Sequence, residues 1–157
     1  MTEPYKIIEV KESVFADNDR EAARLRTQLK QDRTFLLNLM SSPGSGKTTT
    51  LRFILDIYQA AFPSNEILLA APTGRASRRM SEQTGKYAST LHSALGLVTE
   101  EDSPLNDTEM LSADLIVVDE FSMVDMRLAY VLMERIKPGA QLIIVGDADQ
   151  LPSVGAG

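Results

Sequence analysis

Three short apolar runs, each followed at once by a polar segment, constrain the fold of this 157-residue chain more than any other feature. The run FLLNLM precedes SSPGSGKTTT, the run LIVV precedes Asp119 and Glu120, and the run LIIV precedes GDADQ. Continuously apolar strands that alternate with helices are typical of an α/β fold, a parallel sheet with helices on both faces. The carboxyl ends of such strands share one edge, where we expect the polar segments to meet.

The rest of the chain carries helical and extended patterns that agree with this fold class. Helices are predicted near 17–31, 47–61, 73–83, 90–95 and 125–136, and strands at 34–40, 66–71, 115–118 and 141–145. The polar segment 97–112 is predicted to be a surface loop.

Composition limits the classes of protein to which the chain can belong. It is 43% hydrophobic and 24% charged, as in an ordinary soluble domain, and without cysteine it can form no disulfide or thiolate metal site. No apolar run is long enough to span a bilayer and the N-terminus lacks a signal peptide, so we expect a cytoplasmic protein with no membrane partner.

The net charge of −6 argues against a large nucleic-acid footprint, so any contact with nucleic acid is expected to be local. The best candidate patch is Arg75, Arg78, Arg79 and Lys86. A solvated helix face is the alternative interpretation of these charges.

The segment SSPGSGKTTT has the composition of a phosphate-binding P-loop. Backbone N–H groups of a glycine-containing loop, and the N-terminus of the helix that follows, attract anions. Lys47 is expected to reach the β- and γ-phosphates, and the Thr48 hydroxyl to bind Mg²⁺. The usual pattern has glycine where this chain has Ser41. The predicted nucleotide-binding residues are Pro43, Gly44, Ser45, Gly46, Lys47, Thr48 and Thr49.

The domain is predicted to span 34–157, after an N-terminal segment 1–33 with one helix.

Asp119 and Glu120 follow the buried run LIVV. Such a pair at the end of a strand suits a carboxylate that binds Mg²⁺ and a neighbouring base that deprotonates water. The alternative interpretation is a pair of solvated residues that simply ends the strand. Gln150, after the last strand, is placed to sense the γ-phosphate. The predicted catalytic residues are thus Lys47, Glu120 and Gln150, and the metal ligands are Thr48 and Asp119.

The only histidine and the methionines carry weaker signals. His92 alone is no metal site. The following methionines are predicted to fill the core rather than to form a binding surface: Met110, Met123, Met126 and Met133.

From Gly44 to Gly157 the chain resembles the first RecA-like lobe of RecD-like superfamily 1 DNA helicases. The matching segments are PGSGKTTTLR, LLAAPTGRASRRMSEQTG, ASTLHSALG, ADLIVVDEFSMVD and LIIVGDADQLPSVGAG. The resemblance implies an ATPase with ATP and Mg²⁺ as cofactors. It assigns Lys47 and Thr48 to motif I, Asp119 and Glu120 to motif II, and Gln150 to motif III.

The same resemblance implies a contact with single-stranded DNA. Motif Ia, which lines the path of the strand, corresponds to Thr73, Gly74 and Arg75. A T-x-H element that the family also places near DNA corresponds to Thr90 and His92. We therefore expect a partial DNA surface on this lobe.

Residues 6–50 instead resemble the start of HypB, the GTPase of nickel insertion into hydrogenase, whose usual P-loop is SSPGSGKT. The guanine-reading N-K-x-D motif and the Cys-His metal motif of that family are missing. The adenine-contacting glutamine of RecD-like helicases also lacks a clear counterpart, since Gln28 and Gln31 lie in or just after a predicted helix. From the two resemblances we infer a chimera joined near Gly44–Leu51.

The sequence stops after the motif III segment, so the later helicase motifs and the arginine finger of a second lobe are not in it. We expect slow hydrolysis in isolation, no unwinding by this chain alone, and a second RecA-like lobe or a partner subunit. The alternatives are a HypB-like GTPase metallochaperone and a nucleotide-binding module without turnover. In the helicase hypothesis the strand before GDADQ lies between the P-loop strand and the Asp119 strand. In the HypB-like hypothesis those two strands are direct neighbours.

Overall fold

The computed structural model describes residues 20, 23–24, 26–40, 46–97 and 109–146. Five strands within these residues form one sheet in which every pairing is parallel. The strands are β1 (Phe35–Met40), β2 (Ile67–Ala71), β3 (Ala88–Thr90), β4 (Leu115–Val118) and β5 (Gln141–Gly146). The four strands predicted from the sequence are confirmed, and β3 was missed because Ala-Ser-Thr is not an apolar run.

The spatial order of the strands is β1-β5-β4-β2-β3. β5 pairs with β1 on one side, beginning at Phe35 opposite Gln141, and with β4 on the other, beginning at Leu115 opposite the same residue. The strand that precedes GDADQ therefore separates the P-loop strand from the Asp119 strand. This is the arrangement that the helicase hypothesis predicts, and it contradicts the HypB-like hypothesis.

Four helices connect these strands: α1 (Lys47–Ala61), α2 (Gly74–Thr84), α3 (Leu91–Ala94) and α4 (Met126–Arg135). A 3-10 turn, Phe121–Met123, precedes α4. All four helices were predicted, with bounds that differ by at most two residues. Of the predicted helix at 17–31, the structure describes residues 20, 23–24 and 26–31, and all of these are helical. Most of the predicted surface loop, 98–108, lies outside the described residues.

Side-chain caps explain where three of the helices begin. The Thr73 hydroxyl accepts a hydrogen bond from the backbone N–H of Ala76 at 3.2 Å, and the Thr90 hydroxyl accepts one from Ser93 at 3.2 Å. Asp125 caps α4 in the same way, through the N–H of Leu128 at 2.8 Å. Such caps satisfy N–H groups that have no partner within the helix, and each stabilises it by roughly 1 kcal/mol.

The core lies on both faces of the sheet, as the fold class requires. On one face α1 and α2 contribute Leu51, Leu55, Tyr58 and Met80 to a cluster with Leu115, Val117, Ile143 and Val145. On the other face α3 and α4 contribute Leu91, Leu128, Val131 and Leu132 to a cluster with Ile116, Val118 and Leu142. Successive residues of β4 alternate between the two clusters and all are fully buried, which explains why its sequence is apolar at every position.

The prediction for the methionines was wrong in three of four cases. Met110, Met123 and Met126 are exposed, whereas Met133 packs against the α4 face of the core. Met123 and Met126 precede the buried residues of α4, which begin at Leu128. Across the described residues, no helix is long and apolar enough to cross a membrane.

Asp114 joins the starts of three strands at the amino-terminal end of the sheet, through both its side chain and its backbone. Asp114 Oδ2 accepts the backbone N–H of Glu66 at 2.9 Å, and Asp114 Oδ1 lies 2.7 Å from Lys137 Nζ. The backbone of Asp114 also donates to Glu66 O at 2.8 Å and accepts from Gln141 N at 2.8 Å. The hydrogen bond from Lys137 and then that from Glu66 hold the pKa of Asp114 below its usual range. The starts of β2, β4 and β5 are thereby tied together.

Candidate nucleotide and DNA site

The carboxyl ends of β1, β5 and β4 lie side by side because these strands are parallel neighbours. The P-loop segment follows β1 and the Asp119-Glu120 pair follows β4, so both leave the sheet at the same edge, as expected. The third predicted segment follows β5, but Gln150 lies outside the described residues.

The start of α1 fits a bound phosphate. Its N-cap, Gly46, has φ 87°, a left-handed conformation that favours glycine, and it has no side chain to cap the helix. The first turn carries no acidic residue that would repel an anion. Phosphate oxygens can satisfy the N–H groups of such a helix start. Of the predicted nucleotide-binding residues, Pro43, Gly44 and Ser45 lie outside the described residues, as does the side chain of Lys47, and Thr49 is exposed.

Thr48 lies in the first turn of α1 and is half-buried. Its hydroxyl oxygen is 3.2 Å from Oε1 of Gln83, to which it donates a hydrogen bond. Gln83 belongs to the last turn of α2 and was not among the residues that the sequence pointed to. The two residues are 35 positions apart, so no local pattern relates them.

The Asp119-Glu120 pair has a strained backbone. Asp119 Oδ1 accepts the N–H of Glu120 at 2.8 Å, and both side chains are half-buried. Glu120 has φ 51° and ψ 37°, a left-handed conformation that costs a non-glycine residue about 1–3 kcal/mol. Strain of this kind persists where the surrounding structure enforces it, most often at functional sites. Arg33 has a similar φ of 53°, so it is the position of Glu120 beside Asp119, directly after β4, that makes the pair a candidate site.

Thr48 and Asp119 offer donors of the kind that Mg²⁺ prefers. Both supply oxygen, from a hydroxyl and a carboxylate, and Mg²⁺ in nucleotide sites takes its remaining ligands from phosphates and water. One carboxylate oxygen of Asp119 is engaged by the Glu120 N–H, which leaves the other oxygen for a cation. The chemistry of these residues fits a magnesium ion that arrives with the nucleotide.

The residues predicted to face DNA lie at the same edge, at or just after the carboxyl ends of β2 and β3. Ala71, the last residue of β2, is in register with Thr90, so the starts of α2 and α3 lie on neighbouring strands. Thr73 and Thr90 are the caps of those helices, while Gly74, Arg75 and His92 are exposed. Arg78 and Arg79 continue the exposed face of α2, and Lys86 is half-buried.

A buried arginine on α4 contacts the carboxyl end of α3. Arg135, at the end of α4, is only 7% exposed and donates from its guanidinium to the backbone oxygen of Leu95, which ends α3. The sequence placed this residue between the buried positions Leu132 and Ile136, and that placement was the available signal. Arg135 thus holds the helix that carries His92.

Comparison with known proteins agrees with this geometry. The family model described as an AAA domain matches residues 19–156. The ATP-dependent RecD2 DNA helicase of Deinococcus radiodurans is 41% identical over 137 residues, which cover 87% of this chain and 18% of that protein. The RecBCD enzyme subunit RecD of Mycolicibacterium smegmatis is 38% identical over 162 residues, which cover 88% of this chain and 29% of that subunit.

Among solved structures, the Pif1 helicase from Candida albicans has a similar fold. Its TM-score is 0.59 at 26% identity, over 85% of this chain and 33% of that one. The chain therefore spans between 18% and 33% of the lengths of these three proteins.

These comparisons leave the inferred chimera without support. The family match starts at residue 19, so it runs across the proposed junction at Gly44–Leu51. The similarity to RecD-like helicases is thus not confined to residues 44–157, as the motifs alone suggested. The chain belongs to the AAA domain family, and its fold is a P-loop, RecA-like α/β lobe similar to that of RecD-like and Pif1 helicases.

Proposed function

We propose that the chain is the ATP-binding motor lobe of a RecD-like DNA helicase, which hydrolyses ATP and contacts single-stranded DNA. The observation that carries this proposal is the strained Glu120 beside Asp119, at the same sheet edge as the uncapped, acid-free start of α1. The similarity to an ATP-dependent DNA helicase over 87% of the chain supports it.

The proposed chemistry is attack of water on the γ-phosphate. Glu120 orients the water and accepts its proton as the bond from the γ-phosphorus to the bridging oxygen breaks, and ADP leaves. Lys47 binds the β- and γ-phosphates, and Gln150 senses the γ-phosphate. Thr48 and Asp119 would hold Mg²⁺, which when bound would neutralise negative charge on the phosphates.

The proposed DNA contacts use the other half of the same edge. The Thr73 and Thr90 oxygens each accept a hydrogen bond from a helix N–H, and each hydroxyl proton therefore remains to be donated to a DNA phosphate. Arg75 adds positive charge, and Gly74 and His92 lie beside it at the surface. With so few cations we propose weak DNA binding that falls steeply with salt.

We further propose that this lobe acts together with a second RecA-like lobe or a partner subunit. An arginine supplied from such a partner typically raises phosphoryl-transfer rates by about 10³–10⁵. The chain by itself should therefore hydrolyse ATP slowly and should not unwind DNA. The chain matches 18% of the length of the Deinococcus helicase, in which most of the protein lies outside the matching region.

Substitution of Lys47 tests the proposal. Lys47→Ala should weaken binding of Mg²⁺–ATP by at least about 100-fold, because each hydrogen bond from a charged group to phosphate contributes roughly 1.5–3 kcal/mol. The measurement is equilibrium binding of a fluorescent ATP analogue, followed by ATP hydrolysis with and without single-stranded DNA. Lys30→Ala, an exposed lysine outside the site, is the matched control and should bind normally.

Retained ATP affinity in Lys47→Ala would contradict the assignment of the nucleotide site. A strong preference for GTP over ATP in equilibrium competition with the wild-type chain would contradict the helicase assignment. A rate of ATP hydrolysis that does not change when single-stranded DNA is added would contradict the proposed DNA contact.

A further inference from the structure

The hydrogen bond between Thr48 and Gln83 joins the predicted metal site to a second helix. Thr48 is in the first turn of α1, and Gln83 is in the last turn of α2. The Thr48 Oγ1 and Gln83 Oε1 atoms are 3.2 Å apart, and both residues are half-buried. A partly dry environment strengthens such a bond relative to one in water.

The direction of this bond determines what Thr48 can offer to a cation. A threonine hydroxyl has one proton to donate and two lone pairs, while the Oε1 atom of glutamine can only accept. The Thr48 proton is therefore turned towards Gln83, and the lone pairs of the hydroxyl point elsewhere. A hydroxyl oriented in this way can bind Mg²⁺ through a lone pair without giving up its hydrogen bond.

Helix α2 carries Gln83 at one end and the proposed DNA contacts at the other. It has 11 residues, about 16 Å at 1.5 Å per residue, and its first turn contains Gly74 and Arg75 after the Thr73 cap. Buried residues occur along the whole helix, at Ala76, Ser77, Met80 and Thr84, so its two ends are expected to shift together as a rigid unit. A displacement of the first turn by bound DNA would then reach Gln83.

We propose that Gln83 is a positioning residue, which orients the Thr48 hydroxyl for the magnesium ion of the nucleotide and couples that ion to DNA bound at the start of α2. This inference rests on the proposed function and adds to it a residue to which the sequence motifs assign no role, although it lies within the matching segment LLAAPTGRASRRMSEQTG. Partners of this kind behind a metal ligand typically change metal affinity by about 10–100-fold when they are removed.

The test separates the acceptor role of Gln83 from its bulk. Gln83→Met keeps a long side chain but cannot accept the Thr48 proton, whereas Gln83→Glu can only accept it. Equilibrium binding of a fluorescent ATP analogue is titrated with Mg²⁺ and repeated in EDTA. Glu82→Met, an exposed position on the same turn of α2, is the matched control.

We expect Gln83→Met to need about 10–100-fold more Mg²⁺ for half-maximal binding, with binding in EDTA unchanged. Gln83→Glu should restore the wild-type midpoint or lower it, because a carboxylate accepts the same proton and adds negative charge near the cation. Glu82→Met should behave as wild type. The melting temperatures of the variants show whether each is folded.

The coupling is measured as the ratio of single-stranded DNA affinities with and without the Mg²⁺–nucleotide complex. This ratio should differ from one in the wild type and move towards one in Gln83→Met, while Gln83→Glu retains it. A changed Mg²⁺ midpoint with an unchanged ratio would overturn the link to DNA.

Equal Mg²⁺ midpoints for the wild type and a folded Gln83→Met would overturn the inference and leave the proposed function standing. Failure of Gln83→Glu to rescue the midpoint would also overturn it, because the acceptor would then not be the property that matters. A wild-type chain that binds no Mg²⁺–nucleotide complex would overturn the proposed function together with the inference.

Discussion

The two ends of the sheet are built in opposite ways. At the amino-terminal end, the polar groups of Asp114 are paired within the protein, by hydrogen bonds with Glu66 and Gln141 and by an ion pair with Lys137. At the carboxyl end, Glu120 is held in a left-handed conformation and α1 starts without a side-chain cap. The first end uses its polar groups to fix the strands, and the second keeps polar groups available for a ligand. If the proposed function is correct, the difference teaches that stability and ligand binding belong to opposite edges of one sheet.

The largest effect should come from the same chemical change made at each end. Glu120→Gln should lower the rate of ATP hydrolysis by about 10²–10⁴, the usual contribution of general acid–base catalysis, with little change in melting temperature. Asp114→Asn should lower the melting temperature and leave the rate within about twofold, since it is remote from the proposed site. Steady-state hydrolysis at saturating Mg²⁺–ATP and thermal unfolding measure both. An unchanged rate in Glu120→Gln would mean that Glu120 is not the catalytic base.

A smaller effect should sharpen the same contrast through backbone strain. Arg33 and Glu120 have φ values of 53° and 51°, so glycine relieves strain at either position. The left-handed conformation costs about 1–2 kcal/mol, of which the flexibility of glycine in the unfolded chain removes about 0.4–1. Both Arg33→Gly and Glu120→Gly should therefore gain roughly 0.5–1 kcal/mol in the free energy of unfolding, measured with urea.

Only one of these glycine variants should lose activity. Glu120→Gly removes the proposed base, so stability and hydrolysis should change in opposite directions. Arg33→Gly, in the turn before β1, should gain stability alone. Loss of stability in Glu120→Gly would show that the side chain makes contacts worth more than the strain it imposes.

The smallest effect concerns the pH dependence of the structural end. Because the folded pKa of Asp114 is lowered, its stabilisation is complete above the ordinary aspartate pKa of about 3.9 and is lost as the pH falls through the folded value. The difference in unfolding free energy between the wild type and Asp114→Asn should thus be constant from about pH 5 upwards and shrink in acid. Urea unfolding between about pH 3 and pH 7 measures it. A difference that grows in acid would contradict the assigned shift.

Much of the fold could be predicted because its signals are local. The bounds of α1 and β4 came directly from apolar periodicity, and Thr73 and Thr90 were already placed at the starts of their helices. β3 gave no such signal, since Ala88 joins the sheet by pairing with Leu69 rather than through a run of apolar residues. A strand of this kind is defined by its neighbour.

The parts of the site that were missed depend on distant pairs. Gln83 meets Thr48 across 35 positions, and Arg135 meets Leu95 across 40, so neither partner can be read from spacing. The inference of a chimera, which the comparisons do not support, had a related origin. A P-loop sequence such as SSPGSGKT serves several families, and the position of β5 between β1 and β4 distinguishes them, which is a property of the assembled sheet.

β1 is the first of the described strands to be synthesised, yet its partner in the described sheet is β5, the last of them. A parallel edge strand cannot dock before its neighbour exists, and β1 must therefore wait while the helices and strands between them form. The carboxyl end of β1 comes to lie beside that of β5 only at that moment. Under the proposed function, a growing chain would therefore be unable to bind nucleotide before β5 had been synthesised.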